Sequence, residues 1–482
     1  MGWMPWEGDP RRSPVGHRKE RNVHESGTRR VFALAVTAMM VFTACSSSAT
    51  AAPTAAPANP TQAAAGTSAA PAATPAPELS GQISILEKYS DPKYAPYWEK
   101  VVKDYMTAHP NVKIDLQAEG DQPVKDKLRV LTASGNLPDI YFSWAGDFAA
   151  KFVRGGFAAD LTDAVMNTDW KSSFLPATLD ALSYDGKLYA IPITLDAKVM
   201  AYNKQIFADN GVQVPTTMAQ LLQACDTLKG KGIQPIAFGN TYGWPAVHYL
   251  TQLNYYYVPA ATLAQDYNPA TGKFTDPGYV QALQAFADIN THCLTQKSNG
   301  ITHENAQATF LNGKAAMQYV ETVEFGLLTD VNQGAPEGFA DKMSFFKLPA
   351  PEGAAGDPNY LEGAPDSFMV NAKTQHMDIV LDFLKYLSSK PAAEEMTQML
   401  GWLSPVIGSA TAQNTFPQNI AALDEINKAK GMAIWLDTVT QIDVANAYLN
   451  GLQAMLDGSK TPADVMKDVQ AAAVKAQSSV SQ

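Results

Sequence analysis

The sequence predicts an α/β protein of two lobes, and three observations carry that prediction. From Gly81 onward, short apolar runs alternate with stretches of helical periodicity, the rhythm of βαβ units that build a mostly parallel sheet. Between 185 and 204 a turn, an apolar run containing a proline and a second apolar run follow one another, which suits a strand passing from one lobe to the other. Beyond residue 215 the alternation begins again.

Each element has its own signal. Ile83 to Leu86 is an apolar run of strand length, and Tyr97, Trp98, Val101, Val102 and Tyr105 recur at helical spacing until His109-Pro110 stops them. Val112, Ile114 and Leu116 alternate with polar residues as a second strand. A helix carrying Val124, Leu128 and Leu131 is predicted to end near Gly135, with a third strand over 137–142. After Asp185-Gly186, the proline at 192 is read as ending a strand ladder, and Val199 to Tyr202 as leading into a helix. Pro215-Thr216-Thr217 caps a helix containing Leu221, Leu222, Cys225 and Leu228, followed by a strand over 236–238. Helices over 305–311, 377–387, 392–400 and 462–476 make the last third helix-rich.

Composition narrows the function. The 482 residues are 46% hydrophobic and 17% charged, ordinary for a soluble body of two or three domains. Formal charge is −11; the first 44 residues hold seven Lys/Arg against four Asp/Glu, so the remainder carries −14. An acidic body argues against nucleic acid as a partner. Eight tryptophans and nineteen tyrosines suit surfaces that stack on flat ligands and equally suit ordinary cores. There is no GxSxG, HExxH or P-loop, and among His109, His248, His292, His303 and His376 only His292-Cys293 with His303-Glu304 have ligand-like spacing. No metal and no cofactor is expected.

The N-terminus reads as a targeting segment, 1–44. Arg29-Arg30 precedes fourteen apolar residues, too few to span a bilayer comfortably, and Phe42-Thr43-Ala44-Cys45 reads as a lipobox whose Cys45 takes a lipid. The arginine pair also fits a twin-arginine export signal, and residues 1 to about 22 read as an upstream misassigned start, with Val15 or Val23 as initiator. Residues 45–80 form an Ala/Pro/Thr tether, uncharged from 46 to 77, whose thirty-odd residues would span roughly 30 Å. Cys225 and Cys293 could pair in an oxidising compartment or lie separately buried.

The motifs fall in a specific order. Leu137-Pro138-Asp139-Ile140 through Gly156-Phe157-Ala158-Ala159-Asp160-Leu161-Thr162-Asp163 is followed by Asp185-Gly186-Lys187-Leu188-Tyr189-Ala190-Ile191-Pro192 and Tyr202-Asn203-Lys204. Phe207 with Gly211, the run 232–237, and Phe310-Leu311-Asn312-Gly313-Lys314-Ala315-Ala316-Met317 continue the series. In this order the chain resembles the bacterial extracellular solute-binding proteins of the maltose-binding type, the sugar-capturing lipoproteins of ABC importers. The resemblance covers most of the chain from Gly81. It implies a periplasmic-binding-protein-like fold of type II with the ligand cleft at the hinge, an N-lobe of 81–194 and 322–371, and a C-lobe of 195–321 and 372–482.

Sugars offer hydroxyls around a weakly apolar ring face, so their binders need carboxylates and aromatic planes on lobes that close. Ser143-Trp144-Ala145-Gly146-Asp147 resembles a family loop that places an aromatic and a carboxylate on the ligand; Asp147 suits a helix N-cap equally well. Asp196 falls where the family has an acidic hinge residue, with a hinge salt bridge as the alternative role. Tyr242-Gly243-Trp244-Pro245 resembles an aromatic C-lobe segment, and Trp435 a late tryptophan platform. Tyr89 and Ser90 end the first strand where its loop reaches the cleft. After Met317 the chain departs from the usual Gly-Trp, and Glu321 is read as a ligand carboxylate or a partner of a surface lysine; Asp366 is read likewise, or as a turn cap. Tyr255-Tyr256-Tyr257 resembles the adjacent tyrosines of ferric-ion binders, with a core role as the alternative.

The resemblance thus implies an extracytoplasmic, lipid-anchored monomer, not an enzyme, that binds a mono- or oligosaccharide and hands it to permease subunits. The alternatives are another small solute on the same fold (a glycerol phosphodiester, a polyamine, ferric ion) or a secreted carbohydrate-active enzyme using paired carboxylates.

Overall fold

The computed structural model describes residues 78–353 and 355–480. The leader, Cys45 and residues 45–77 of the tether lie outside the described residues. Nine strands form one continuous sheet, and two more form a separate hairpin. In chain order they are β1 (Gly81–Glu87), β2 (Val112–Ala118), β3 (Ile140–Trp144), the hairpin pair β4 (Ser183–Tyr184) and β5 (Lys187–Leu188), β6 (Ala190–Asn203), β7 (Gln234–Ile236), β8 (Ala315–Glu321), β9 (Met343–Phe346), β10 (Tyr360–Val370) and β11 (Gly431–Ala433).

The sheet runs β2-β1-β3-β10-β6-β8-β7, with β11 beside β10 and β9 beside β6. β1 pairs in parallel with β2 and β3, and β7 with β8. β10 and β6 run antiparallel to each other and to their neighbours β3 and β8. These two long strands join the lobes: thirteen of the fourteen residues of β6 are buried, as expected of a strand covered on both faces, with Thr194, Asp196, Lys198 and Asn203 as its buried polar members. Pro192 does not end the ladder. It pairs with Ser367, next to a register shift in which the consecutive Asp366 and Ser367 face Thr194 and Pro192, so the extra residue, Ile193, makes a bulge in β6 itself beside the proline.

The periodic helices form where their apolar faces predict. Tyr97, Trp98, Val101, Val102 and Tyr105 are the buried face of the helix Ala95–Ala108. Gly135 closes the helix Asp121–Ser134 in the left-handed region at φ 72°, and the Thr217 hydroxyl accepts from the Gln220 N–H at 3.2 Å to start Met218–Gly230. β3 begins later than its sequence signal and takes in Ser143 and Trp144, so the tryptophan stands at a strand end and not on a free loop.

One core gathers β1, β3, the first half of β6 and the end of β10. Two others fill the second lobe, on either side of the remaining strands. Packing redraws the expected lobe limits. The helices Met377–Leu387 and Lys390–Leu400, expected in the C-lobe, bury Ile379, Val380, Phe383, Leu384 and Met396 in the first core. Residues 325–348, expected in the N-lobe, give Phe325, Leu328, Phe339 and Met343 to the second lobe. Cys225 and Cys293 are joined by a disulfide, Cα–Cα 5.1 Å, which ties the helices Met218–Gly230 and Pro277–His292.

Candidate ligand cleft

A cleft of about 530 Å³ opens between the lobes, within the size range of small-molecule sites. Strand ends and helix starts supply its walls, as expected where connections leave an α/β sheet. From the first lobe come Lys88, Tyr89 and Ser90 after β1, Asp121 and Lys125 on Asp121–Ser134, Trp144 at the end of β3, and Trp402. Asp366 on β10 lies directly opposite Trp144 in register. From the second come Trp244 and His248 on the helix Trp244–Tyr257, His303, Glu304 and Gln307 on His303–Leu311, and Glu321, Glu324 and Asp437, while Trp435 packs in the first core and reaches His248.

Eight of the ten ligand contacts expected from sequence therefore meet here: Tyr89, Ser90, Trp144, Asp196, Trp244, Glu321, Asp366 and Trp435. Two do not. Asp147, the first residue of the helix Asp147–Arg154, pairs with Arg154 Nη1 at 2.7 Å and does not line the cleft, because the strand runs on through Trp144 and the helix turns the carboxylate onto its own last turn. Tyr242 is exposed, and its hydroxyl donates to Glu304 at 3.1 Å; Glu304 rather than Tyr242 lines the cleft.

Several carboxylates are already engaged. Asp366 accepts from the Tyr89 hydroxyl and from Lys88 Nζ, each at 2.8 Å. It sits within a strand, which removes the turn-cap role. Burial disfavours the Lys88 charge, but Asp366 and Asp121 outweigh it and hold the ammonium above the ordinary lysine range. Glu321 faces Lys198 Nζ and His248 Nδ1, both at 3.3 Å; the lysine is buried, not on the surface. Asp196 accepts from the Thr322 hydroxyl at 2.8 Å and the Val323 N–H at 3.3 Å, so hydrogen bonds occupy the hinge position where a salt bridge was the alternative. Burial, then Glu321 and Asp366, hold its carboxyl well above the usual range. Glu324 pairs with His303 Nε2 at 2.5 Å; burial would raise its carboxyl, but the imidazole outweighs this and brings it down to about 2.

The aromatic groups differ in what covers them. Trp144 lies edge-on to Phe142 and Phe148 at 4.6 and 4.9 Å, with the Lys125 ammonium 4.5 Å from its ring centroid. Trp435 stacks on His248 at 4.5 Å and 12° between planes. Burial, then Lys198 and Lys125, hold that imidazole well below its ordinary pKa, so it meets the indole as a neutral ring. Trp244 lies between His248 and His303, at 5.0 and 4.7 Å. Trp402 packs on Tyr89 at 4.4 Å and Tyr94 at 4.9 Å.

Lys88, Lys125, His248, His303, Trp402 and Asp437 carried no motif that marks them as cleft residues. His248 alone had a local signal, since it lies one helical turn after Trp244. Cys293 is bonded to Cys225 and His292 pairs with Asp226 at 2.7 Å, so neither joins His303 at a shared site. No group of three or more His, Cys, Asp or Glu among the described residues is arranged to hold a metal ion. The Tyr256 hydroxyl is committed to the Leu348 carbonyl and Tyr255 packs on Tyr360, which gives these tyrosines a packing role.

Residues 90–394 match the family model described as bacterial extracellular solute-binding protein. The chain belongs to that family. Among the relatives of this solute-binding protein is a binding protein of Brucella abortus (strain 2308), 26% identical over 408 residues, 82% of this chain and 93% of the other. The multiple sugar-binding protein of Streptococcus mutans is 23% identical over 64% of this chain and 71% of its own. A solved chitin oligosaccharide binding protein shares the fold at TM-score 0.75 and 22% identity, over 83% of this chain and 99% of that one. The solute-binding protein accordingly has the two-lobed type II fold. No helix among its described residues is long and apolar enough to cross a membrane.

Proposed function

We propose that this solute-binding protein captures a carbohydrate in the interlobe cleft and delivers it, unaltered, to the permease of an ABC importer. The observation that carries this reading is the lining itself: four indoles, Trp144, Trp244, Trp402 and Trp435, share one cleft with Asp196, Glu321, Asp366 and Asp437. Flat apolar faces beside hydroxyl acceptors are what a sugar ring requires. Relatives described as sugar-binding and as ABC transporter extracellular-binding proteins support it. Ligand between the lobes favours the closed form, and the closed form offers both lobes at once to the membrane partner.

Calorimetric titration and thermal melts of the purified protein against mono- and oligosaccharides test the reading, with glycerol phosphodiesters, polyamines and ferric ion in parallel. Saturable heat and a rise in Tm with a sugar, with that sugar recovered intact, is the expected result. Binding confined to one of the other solutes, or hydrolysis of the sugar, would replace it. The lipid on Cys45 belongs to the same proposal: Cys45→Ser should move the protein from the membrane fraction to the soluble one.

A further inference from the structure

Cleft groups from both lobes meet at a single contact. Lys125, in the first lobe, holds its ammonium 3.5 Å from Asp437 Oδ2 in the second and 3.5 Å from Asp121 of its own helix. Asp437 lies in the helix Leu436–Val439, anchored to the second lobe by Leu436, whose side chain is in that core and whose N–H donates to Thr251 at 3.0 Å. Alongside, Gly146 lets the lobes meet: a Cβ there would stand 2.6 Å from the Val439 Cα. Asp437 lines the cleft with its side chain only 7% exposed, and its Oδ1 is fully buried without a hydrogen-bond partner among the described residues.

That combination separates Asp437 from its neighbours. Asp366 is held by two donors at 2.8 Å and Glu324 by an imidazole, an amide and a backbone N–H. A buried carboxylate oxygen without a donor is costly, and an ion pair at 3.5 Å is longer than a charge-assisted hydrogen bond of about 2.7–2.9 Å. Both defects are relieved by one group that donates to Asp437 and accepts from Lys125. A hydroxyl does both.

We propose that Lys125 and Asp437 form an interlobe specificity pair: a ligand hydroxyl entering beside Trp435 donates to Asp437 Oδ1 and accepts from Lys125 Nζ, so that one contact couples recognition to lobe closure. The proposal rests on the carbohydrate reading and adds which residues select the hydroxyl pattern.

The test uses Asp437→Asn, Asp437→Ser and Lys125→Met, titrated with maltotriose, chitobiose, xylobiose and their monosaccharides, with small-angle scattering on each protein without sugar. Asp437→Asn and Lys125→Met should each weaken the tightest sugar at least tenfold. The double variant should lose little more than either single one, because the hydroxyl is shared. Without sugar, each variant should show a larger radius of gyration than the parent. Thermal melts separate misfolding from lost binding, and Asp437→Ser replaces Asp437→Asn if the latter does not fold. Wild-type affinity in the folded variants overturns the pair while leaving the carbohydrate reading intact. If no sugar binds the parent, that reading falls; the sugar-free radius then decides whether the pair holds the lobes together, and an unchanged radius rejects it.

Discussion

Trp144 and Trp435 carry the same indole to the same cleft, and their surroundings set them different tasks. Both are 4% exposed and belong to the first core; Trp144 is walled by Phe142 and Phe148 with Lys125 over its ring, and Trp435 stacks on the neutral His248 imidazole. Trp435→Ala should weaken carbohydrate binding by about 1–3 kcal/mol in calorimetry, and its burial in the first core adds a loss of stability. Trp144→Ala should instead cost about 3–5 kcal/mol of stability in urea denaturation; a stable Trp144→Ala protein with weakened binding would reverse the assignment. Buried carboxyls set the pH response. Burial raises Glu87 from about 4.5 to about 7, so the folded state holds its proton longer and stability should fall, by up to about 3 kcal/mol, as pH rises through that window. Glu324 works in the opposite sense: lowered to about 2, it contributes stability above its unfolded pKa near 4.5 that is lost as pH falls from there toward 2. Urea midpoints across pH 2–8 should flatten at the upper end in Glu87→Gln and at the lower end in Glu324→Gln.

At the scale of elements, the crossing of β6 and β10 governs the hinge. Gly363 pairs with Ala197 there, and a Cβ at 363 would stand 2.2 Å from the Asp196 carbonyl and 2.4 Å from Met432 Cε. The carbonyl is backbone and cannot swing aside. Gly363→Ala should cost about 1–3 kcal/mol and blunt the ligand-induced change in scattering radius, because the two strands must separate where they bend. An unaltered radius change would place the hinge elsewhere. Much of this level was legible in sequence: the face Tyr97 to Tyr105, the Gly135 stop and the Thr217 cap are local signals that tertiary contacts leave alone. Pro192 was misleading, since its tolerance depends on a bulge at Ile193 that arises only when β6 pairs with a strand about 170 residues away.

For the whole molecule, the disulfide and the cleft are the main levers. Cys225 and Cys293 close a loop across 68 residues of sequence within the second lobe, and removing that link by Cys225→Ser with Cys293→Ser should lower stability by about 4 kcal/mol on the loop-entropy account. Denaturation with and without a reductant checks it; equal midpoints would show that the buried sulfurs contribute by packing alone.

Strand periodicity, helix caps and motif order act over a few residues at a time, and they were enough to read the class of fold, the two-lobed plan and eight of the residues that line the cleft. Only the tertiary structure decided that the helices at 377–400 belong to the first lobe, that Asp147 faces Arg154 and Tyr242 faces solvent, and that Lys88, Lys125, His248 and Asp437 meet at the site. Those outcomes depend on which groups from distant segments come within a few ångströms, where burial and charge act. No local pattern records that.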